Sequence, residues 1–276
     1  MIGEVTVMRF IKLLAFFSFY CISLIVNAEA NREILTFGIT PQQSPTEIAK
    51  LWGPICQYMS KRTGYEIQFK TSRDLSAFWN EAEEGHFDLV YINPPRYVNI
   101  HTKQGYTAFA KDSESPLIVI IVSRKDGLKS VKELEGKTIA VPNLNALATQ
   151  LPQAYLKKEG IDVSVAAVNN HESVFHTVEK GIYPAGTSNL RIFGMLDPAR
   201  QAEFNILWKT EPLPPFAFAS HPRVSPKAIK SIQHALLDMS NNPEGKALLA
   251  TLNVKGIDAA KDSDYNVMRK MNIKME

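Results

Sequence analysis

Short apolar runs alternate with helical patterns from Glu33 to the end of the chain. The first run, Ile34 to Ile39, is typical of a strand, and apolar side chains at helical spacing follow it as far as Met59. The same order returns with Phe87 to Ile92 and again with Lys137 to Val141. Chains with this alternation pack as β-α-β units around a mostly parallel sheet. We therefore predict an α/β fold.

A capping box indicates where the first helix begins. Ser44 stands at the cap, Pro45 at the first helical position and Glu47 three residues after the cap. Gly64 is a typical residue for the end of that helix. Pro54 lies inside the helical pattern, and because proline cannot donate a hydrogen bond to the preceding turn, we expect a kink or a break there.

The strand and helix pattern restarts once and then returns, which predicts two lobes. We expect residues 31–122 and 213–276 to form the first lobe and residues 123–212 to form the second, with two extended crossings between them. About 250 residues are more than one simple core usually organises, which favours this division. A cleft between two such lobes is the natural place for a ligand.

The first thirty residues have the features of an export signal. Arg9 and Lys12 precede an uncharged run from Leu13 to Val26, and Ala28-Glu29-Ala30 follows as a cleavage site. The uncharged run is shorter than the roughly 20 residues that a membrane-spanning helix needs. We predict that residues 1–30 are removed and that the mature chain, beginning near Asn31, is released into the periplasm.

Charge, cysteine content and motifs exclude several classes of protein. The formal net charge of +3 is spread along the chain, whereas nucleic-acid binding needs clustered basic residues. Cys56 is the one cysteine outside the predicted signal, so no intrachain disulfide can form, and its place in an apolar helical pattern indicates an inert buried thiol. The chain lacks five common catalytic and nucleotide-binding motifs: G-x-S-x-G, H-E-x-x-H, C-x-x-C, G-x-x-x-x-G-K-[ST] and G-x-G-x-x-G. We predict a protein that is not an enzyme, needs no cofactor and does not bind nucleic acid.

Polar residues occur where predicted strands give way to helices, which is where ligands of open α/β folds usually bind. Helix N-termini present free N–H groups and partial positive charge, so several that converge would favour an oxyanion. The alternative, that each residue only caps its own helix, stays open. The candidate ligand-binding residues at these junctions are Ser44, Asn93, Asn143, Asn145, His171 and Ser173.

A few further side chains are candidates for ligand contact. Tyr97 can offer a hydroxyl or a ring face, with a place in the core as its alternative. His176 lies five residues after His171, or about 140° around a helix, so the two histidines do not form a metal pair, and we predict no metal site. Three basic side chains can neutralise an anion or remain at the surface: Arg96, Arg191 and Lys209.

Three motifs occur in an order that resembles a known family. They are F-G-x-x-P at Phe37 to Pro41, W-x-P at Trp52 to Pro54, and a motif from Gly85 to Tyr97 that contains Asp88 and N-P-x-x-Y. The chain is similar here to the phosphate, phosphite and phosphonate-type periplasmic substrate-binding proteins of ABC transporters. The resemblance implies the type 2 periplasmic-binding-protein fold, with two α/β lobes and a solute held between them.

The chain departs from this family's pattern in places that concern the ligand. Asn145-Ala146-Leu147 stands where the family has serines and threonines, Asn93 replaces a glycine, and the acidic position in the family's V-D-A-G motif is lost at Ile182 to Gly186. We expect a small anionic solute of the oxyanion class, with weak binding of phosphate and methylphosphonate.

The resemblance also implies partners. We expect a monomer that delivers its solute to an inner-membrane ABC permease. Docking on a membrane sensor kinase is the alternative reading of the same fold, and a secreted hydrolase with a spatially assembled site is a weaker one.

Overall fold

The structure of the protein is a computed structural model, and it describes residues 32–271 and residue 273. These residues form two α/β lobes, each built on one mixed sheet with helices packed against it. The segment 1–30, predicted to be an export signal, lies outside the described residues. In the part of the chain that is described, no helix is long and apolar enough to cross a membrane.

The strands, in chain order, are β1 (Ile34–Ile39), β2 (Glu66–Lys70), β3 (Leu89–Ile92), β4 (Thr107–Ser113), β5 (Val119–Arg124), β6 (Lys137–Val141), β7 (Val163–Ala167), β8 (Ala185–Asn189), β9 (Phe204–Lys209), β10 (Ala217–Ser220) and β11 (Gly256–Ala259). The α-helices are α1 (Pro45–Thr63), α2 (Leu75–Glu83), α3 (Pro94–Gln104), α4 (Leu147–Lys158), α5 (His171–Glu179), α6 (Leu190–Gly194), α7 (Pro198–Ala202), α8 (Pro226–Asp238), α9 (Pro243–Thr251) and α10 (Asn266–Lys270). Short 3₁₀ helices occupy Val131–Leu134, Met239–Asn241 and Asp262–Tyr265.

The first lobe contains a six-stranded sheet in the order β11-β4-β10-β3-β1-β2. Strand β1 pairs in parallel with β2 and β3. Strand β10, which follows the second lobe in the sequence, runs antiparallel between β3 and β4. The second lobe contains a five-stranded sheet in the order β7-β6-β8-β5-β9. There β6 is parallel to β7 and β8, and β5 is antiparallel to β8 and β9.

The chain crosses between the lobes at two extended segments that touch each other. Leu117 on the outward crossing and Leu213 on the return crossing form an isolated antiparallel bridge with N···O distances of 3.1 and 2.9 Å. Strand β5, most of which the sequence assigned to the first lobe, pairs within the second sheet. The chain therefore passes from the first sheet to the second before Val119. The sequence could not show this, because an apolar run indicates that a strand is buried but not which strands it pairs with.

Aromatic side chains organise the core of the first lobe. The ring of Phe37 lies edge-on to that of Trp52, with their centroids 5.8 Å apart. The ring centroid of Tyr91 lies 4.5 Å from that of Trp52 and 4.8 Å from that of Phe218. The C-terminal helices α8 and α9 add Ile232, Leu236 and Leu249 to the same core. The last part of the chain therefore completes the first lobe, so that this lobe is built from both ends of the described chain.

Helix α1 runs through Pro54 without a break, where the sequence led us to expect a kink or an interruption. Pro54 is exposed, and so is Lys50, whose carbonyl loses its partner, so water can satisfy that carbonyl. Cys56 lies on the opposite, buried face of the helix, and burial raises the pKa of its thiol to about 12. A thiol in this environment stays protonated and unreactive.

Candidate functional site

The two lobes are in contact across the cleft, and Gln42 is the centre of that contact. Gln42 follows β1 in the first lobe, and its carbonyl accepts a hydrogen bond from the backbone N–H of His171 at 3.1 Å. Its side-chain oxygen accepts another from the guanidinium of Arg191. Both donors belong to the second lobe, so a single residue joins the start of α5 and helix α6 to the opposite lobe.

Two of the other hydrogen bonds between the lobes involve residues predicted to bind ligand. The N–H of Ser44 donates to the carboxylate of Glu172 at 3.3 Å, and the amide of Asn143 donates to the hydroxyl of Ser76 at 2.9 Å. Two of the residues predicted to bind ligand, Ser44 and Asn143, therefore contribute to closure of the lobes. Neither of them lines the cavity that the closed lobes enclose.

That cavity lies at the carboxyl ends of the strands of both sheets. Counted as space open to the centre of a water molecule, its volume is ≈ 20 Å³, where one water needs about 10–15 Å³. The closed site is therefore sized for a solute of a few heavy atoms. The lining residues are Thr40, Gln42, Leu75, Trp79, Asn93, Leu117, Val119, Ala146, Leu147, Ala148, His171, Asn189 and Phe216.

No residue that lines the cavity among those described carries a full charge at neutral pH. His171 is the one ionisable side chain in the lining, and burial, assisted by the Arg191 cation, lowers its pKa to about 3. Its Nδ1 lies 3.0 Å from the hydroxyl of Ser188, which holds the neutral ring in place. The lining itself can therefore stabilise a charge on a ligand only through dipoles and hydrogen bonds, to which the Arg191 cation behind the lining adds a longer-range contribution.

The start of helix α4 supplies such dipoles. Ala146 occupies the cap position and provides no side-chain hydrogen bond. The N–H groups of Leu147 and Ala148 have no hydrogen-bond partner among residues 32–271, and both residues line the cavity. An uncapped helix of this length carries roughly half a positive charge at its N-terminus. The missing hydroxyls near Ala146 thus leave backbone donors open.

Helices α3 and α5 offer fewer free donors at the cleft than α4 does. Helix α3 begins with Pro94 and Pro95, which have no N–H, and the N–H of Arg96 donates to the side chain of Asn93 at 3.0 Å. In α5 the N–H of His171 is used by Gln42. Helix α2 in the first lobe also begins at the cavity, where the N–H of the lining residue Leu75 has no hydrogen-bond partner among residues 32–271. Helices α2 and α4 therefore both bring open backbone donors to the cavity.

The structure places the predicted site residues in three groups. Asn93 and His171 line the cavity. Asn145 precedes the lining residue Ala146 but does not itself line the cavity, and its carbonyl accepts a hydrogen bond from the guanidinium of Arg96 in the other lobe at 3.5 Å. Tyr97 is fully buried in the first lobe, where its hydroxyl donates to Asp262 at 2.7 Å and accepts from the N–H of Ala108 at 3.1 Å. Ser173 lies in the second lobe and donates its N–H to the cap residue Asn170 at 2.8 Å. Neither Tyr97 nor Ser173 lines the cavity.

Several lining residues were missed by the sequence analysis. Thr40 and Gln42 follow β1, and Asn189 ends β8, so the rule that ligands bind at the carboxyl ends of strands points to all three. Trp79 gave no such signal, because its spacing within α2 is that of a core residue.

The three basic candidates have different environments. Arg191 lies with its guanidinium 4.9 Å from the ring centre of Phe216 and 5.5 Å from that of Tyr91, beside the cavity. Arg96 is buried, and Lys209 at the end of β9 is exposed and does not line the cavity. The described residues contain no cluster of His, Cys, Asp and Glu suited to a metal ion.

The two lobes, the two crossings and the enclosed cleft define the class of type 2 periplasmic binding proteins. The family model described as the periplasmic substrate-binding protein of phosphonate ABC transporters matches residues 37–265. The chain belongs to this family.

Solved structures show the same fold. A binding-protein component of an ABC phosphonate transporter from Pseudomonas aeruginosa is similar with a TM-score of 0.77 and 17% identity, over 87% of this chain and 85% of that chain. PhnD1 from Prochlorococcus marinus, solved in complex with methylphosphonate, gives 0.76 and 15%, over 87% and 97%. An ancestral arginine-binding protein bound to arginine gives 0.57 and 19%, over 80% and 98%.

Proposed function

We propose that this chain is the periplasmic solute-binding component of an ABC importer and that it holds a small oxyanion between its lobes. The observation that carries the proposal is the pair of unpartnered N–H groups at Leu147 and Ala148, which line a cavity without a charged side chain. Oxyanions accept several hydrogen bonds, and helix N-termini are common sites for them. The family match favours transport over sensing and over hydrolysis.

The apolar part of the lining narrows the class of solute. Leu75, Leu117, Val119 and Phe216 contribute no hydrogen-bonding side-chain group. An oxygen placed against them without a partner costs about 1–3 kcal/mol. A solute that carries several oxygens and one small apolar group suits both the polar and the apolar lining residues, so we propose a small alkylphosphonate-like anion in preference to phosphate. The absence of side-chain hydroxyls at positions 145–147 is consistent with modest affinity.

Sheet membership supports a division of the chain into lobes close to the predicted one. We place residues 32–118 and 213–271 in the first lobe and residues 119–212 in the second, because β5 pairs in the second sheet and the crossings meet at Leu117 and Leu213. Closing the lobes on the solute would create the surface that the permease recognises. Residues 1–30 would direct export, and no reaction would be catalysed.

Thermal-shift titration of the exported protein tests the proposed ligand class. Methylphosphonate at 100 times its dissociation constant should stabilise the protein by about 2.7 kcal/mol, or about 5–10 °C for a chain of this size, and phosphate should stabilise it less. Small-angle scattering should show compaction with the same ligand. A response to neutral or cationic solutes alone would rule out the oxyanion class. Turnover of a phosphoester that is lost on mutation in the cleft would contradict a role in binding only.

A further inference from the structure

Trp79 carries a buried hydrogen-bond donor that has no partner. The residue is 4% exposed, and its indole Nε1 makes no hydrogen bond to any of the described residues. Trp79 also lines the cavity between the lobes. Buried tryptophans usually find a partner for this N–H, because leaving it unpaired destabilises the folded state. Phenylalanine would fill much of the same space without that cost, so the indole N–H calls for an explanation.

The ring of Trp79 is held by a residue that also contacts the second lobe. The guanidinium carbon of Arg96 lies 3.8 Å from the ring centre, close enough for a cation–π interaction. Arg96 forms an ion pair with Glu83 at 3.2 Å and donates to the carbonyl of Asn145 in the second lobe at 3.5 Å. Arg96 thus packs on the indole ring and, in the closed arrangement of the lobes, also contacts the second lobe.

The cavity already contains matching donors on its other side. The free N–H groups of Leu147 and Ala148 belong to the second lobe, whereas Trp79 belongs to the first. A solute that accepts from both sets of donors would bridge the lobes and favour closure. A solute that accepts from one set alone would leave the other donors unsatisfied.

We propose that the indole N–H of Trp79 donates a hydrogen bond to an oxygen of the bound solute, so that Trp79 is a ligand-binding residue of the first lobe. The inference rests on the proposed oxyanion function and adds a specific donor to it. It also implies that a solute must present oxygens to both lobes, which disfavours ions with one exposed acceptor.

The chain contains three tryptophans, Trp52, Trp79 and Trp208, so three indole N–H signals are expected from ¹⁵N-labelled protein. Single Trp→Phe variants assign them. Methylphosphonate should move the Trp79 signal downfield, as expected for a new hydrogen bond to an anionic oxygen. The Trp208 signal should stay in place, because that ring stacks on Tyr155 in the second lobe with centroids 4.7 Å apart. A purely structural role for Trp79 predicts no downfield movement.

The Trp79→Phe variant removes the donor and keeps an aromatic ring. Its affinity for methylphosphonate should fall about 10- to 100-fold, the range for a hydrogen bond to a charged group, and Trp208→Phe should bind as the wild type does. Should methylphosphonate bind the wild type while the Trp79 signal stays still, or bind Trp79→Phe equally well, the role of Trp79 is wrong and the proposed function stands. Should methylphosphonate fail to bind the wild type, both fail.

Discussion

The two lobes present different chemistry to the same cleft. The first lobe contributes polar side chains from Thr40, Gln42 and Asn93. The second contributes those of His171 and Asn189 together with the two adjacent open backbone donors at the start of α4. The cause lies in how the helices begin. Helix α3 in the first lobe starts with two prolines and a capping asparagine, and α4 in the second lobe starts after an alanine that cannot cap it. A well-capped helix has few amides left for a ligand.

The lobes also differ in the ionisable group that each buries beside their contact. The first lobe buries Asp112. Burial raises the pKa of this carboxyl to about 6, although Arg191 and the hydrogen bond from the Tyr91 hydroxyl oppose the rise. The second buries His171, whose pKa is lowered to about 3. Arg191 acts electrostatically on both groups. Acid therefore affects the two lobes in opposite directions.

The largest effect should come from placing a charge at the uncapped start of α4. In Ala146→Asp a carboxylate takes up the free N–H groups and repels an anion in the cavity. Like charges in such contact cost several kcal/mol, so methylphosphonate affinity, measured by calorimetry, should fall at least about 1,000-fold, the equivalent of about 4 kcal/mol.

Ala146→Asn is the matched control, since it has nearly the same size and can cap the helix without a charge. We expect Ala146→Asn to lose only about tenfold, the equivalent of one hydrogen bond to a charged group. Equal losses in the two variants would mean that filling the cavity, and not charge, is responsible. The second lobe would then not be the site of anion binding.

The next effect concerns His171. The pKa of His171 is about 3 in the folded protein and about 6.5 in the unfolded chain. The neutral histidine therefore contributes to the free energy of unfolding above pH 6.5, and this contribution is lost as pH falls toward 3. Between pH 6.5 and 4 the loss amounts to roughly 3 kcal/mol. Urea unfolding of His171→Asn should lack this loss relative to the wild type. His176→Asn, an exposed position in the same helix, should keep it; if both variants behave alike, His171 is not buried as described.

Much of the fold could be predicted because β1, β3 and β6 are apolar runs that are buried in their sheets. Strands β4 and β11 were missed. Lys111 and Asp112 interrupt the apolar pattern of β4, and its pairing with β10 and β11 depends on residues more than a hundred positions away. Local periodicity carries no information on such pairing.

The candidate site was predictable where chemistry follows topology. Asn93 and His171 were found because they stand at strand-to-helix junctions, and the same rule applied to the ends of β1 and β8 reaches Gln42 and Asn189. Trp79 and the free N–H groups of α4 could not be predicted, because only the folded chain shows which buried donors lack a partner. The capping signal at Ser44 indicated a helix start correctly, and Ser44 lies outside the cavity lining.

The smallest effect is expected for Asp112 in the first lobe, and its sign is opposite to that for His171. The ionisable groups that face Asp112 are Tyr91, whose hydroxyl donates to it at 2.5 Å, Tyr265 and Arg191. An unfolded aspartate has a pKa of about 3.9, so the folded protein holds the proton more tightly, and stability is lost as pH rises through 4 to 6.

As pH rises from 4 to 6, the ionisation of Asp112 should lower the free energy of unfolding by roughly 2 kcal/mol. The loss of the proton from His171 in the unfolded chain raises it by nearly as much over the same range, so the wild-type stability changes little with pH. Urea unfolding of Asp112→Asn should remove the loss and leave a steeper rise of stability with pH than the wild type shows. Asp258→Asn, on the neighbouring strand β11 and exposed, should follow the wild-type curve. If Asp112→Asn follows it as well, Asp112 already ionises near its ordinary pKa, and the first lobe carries no buried acid to set against the histidine of the second.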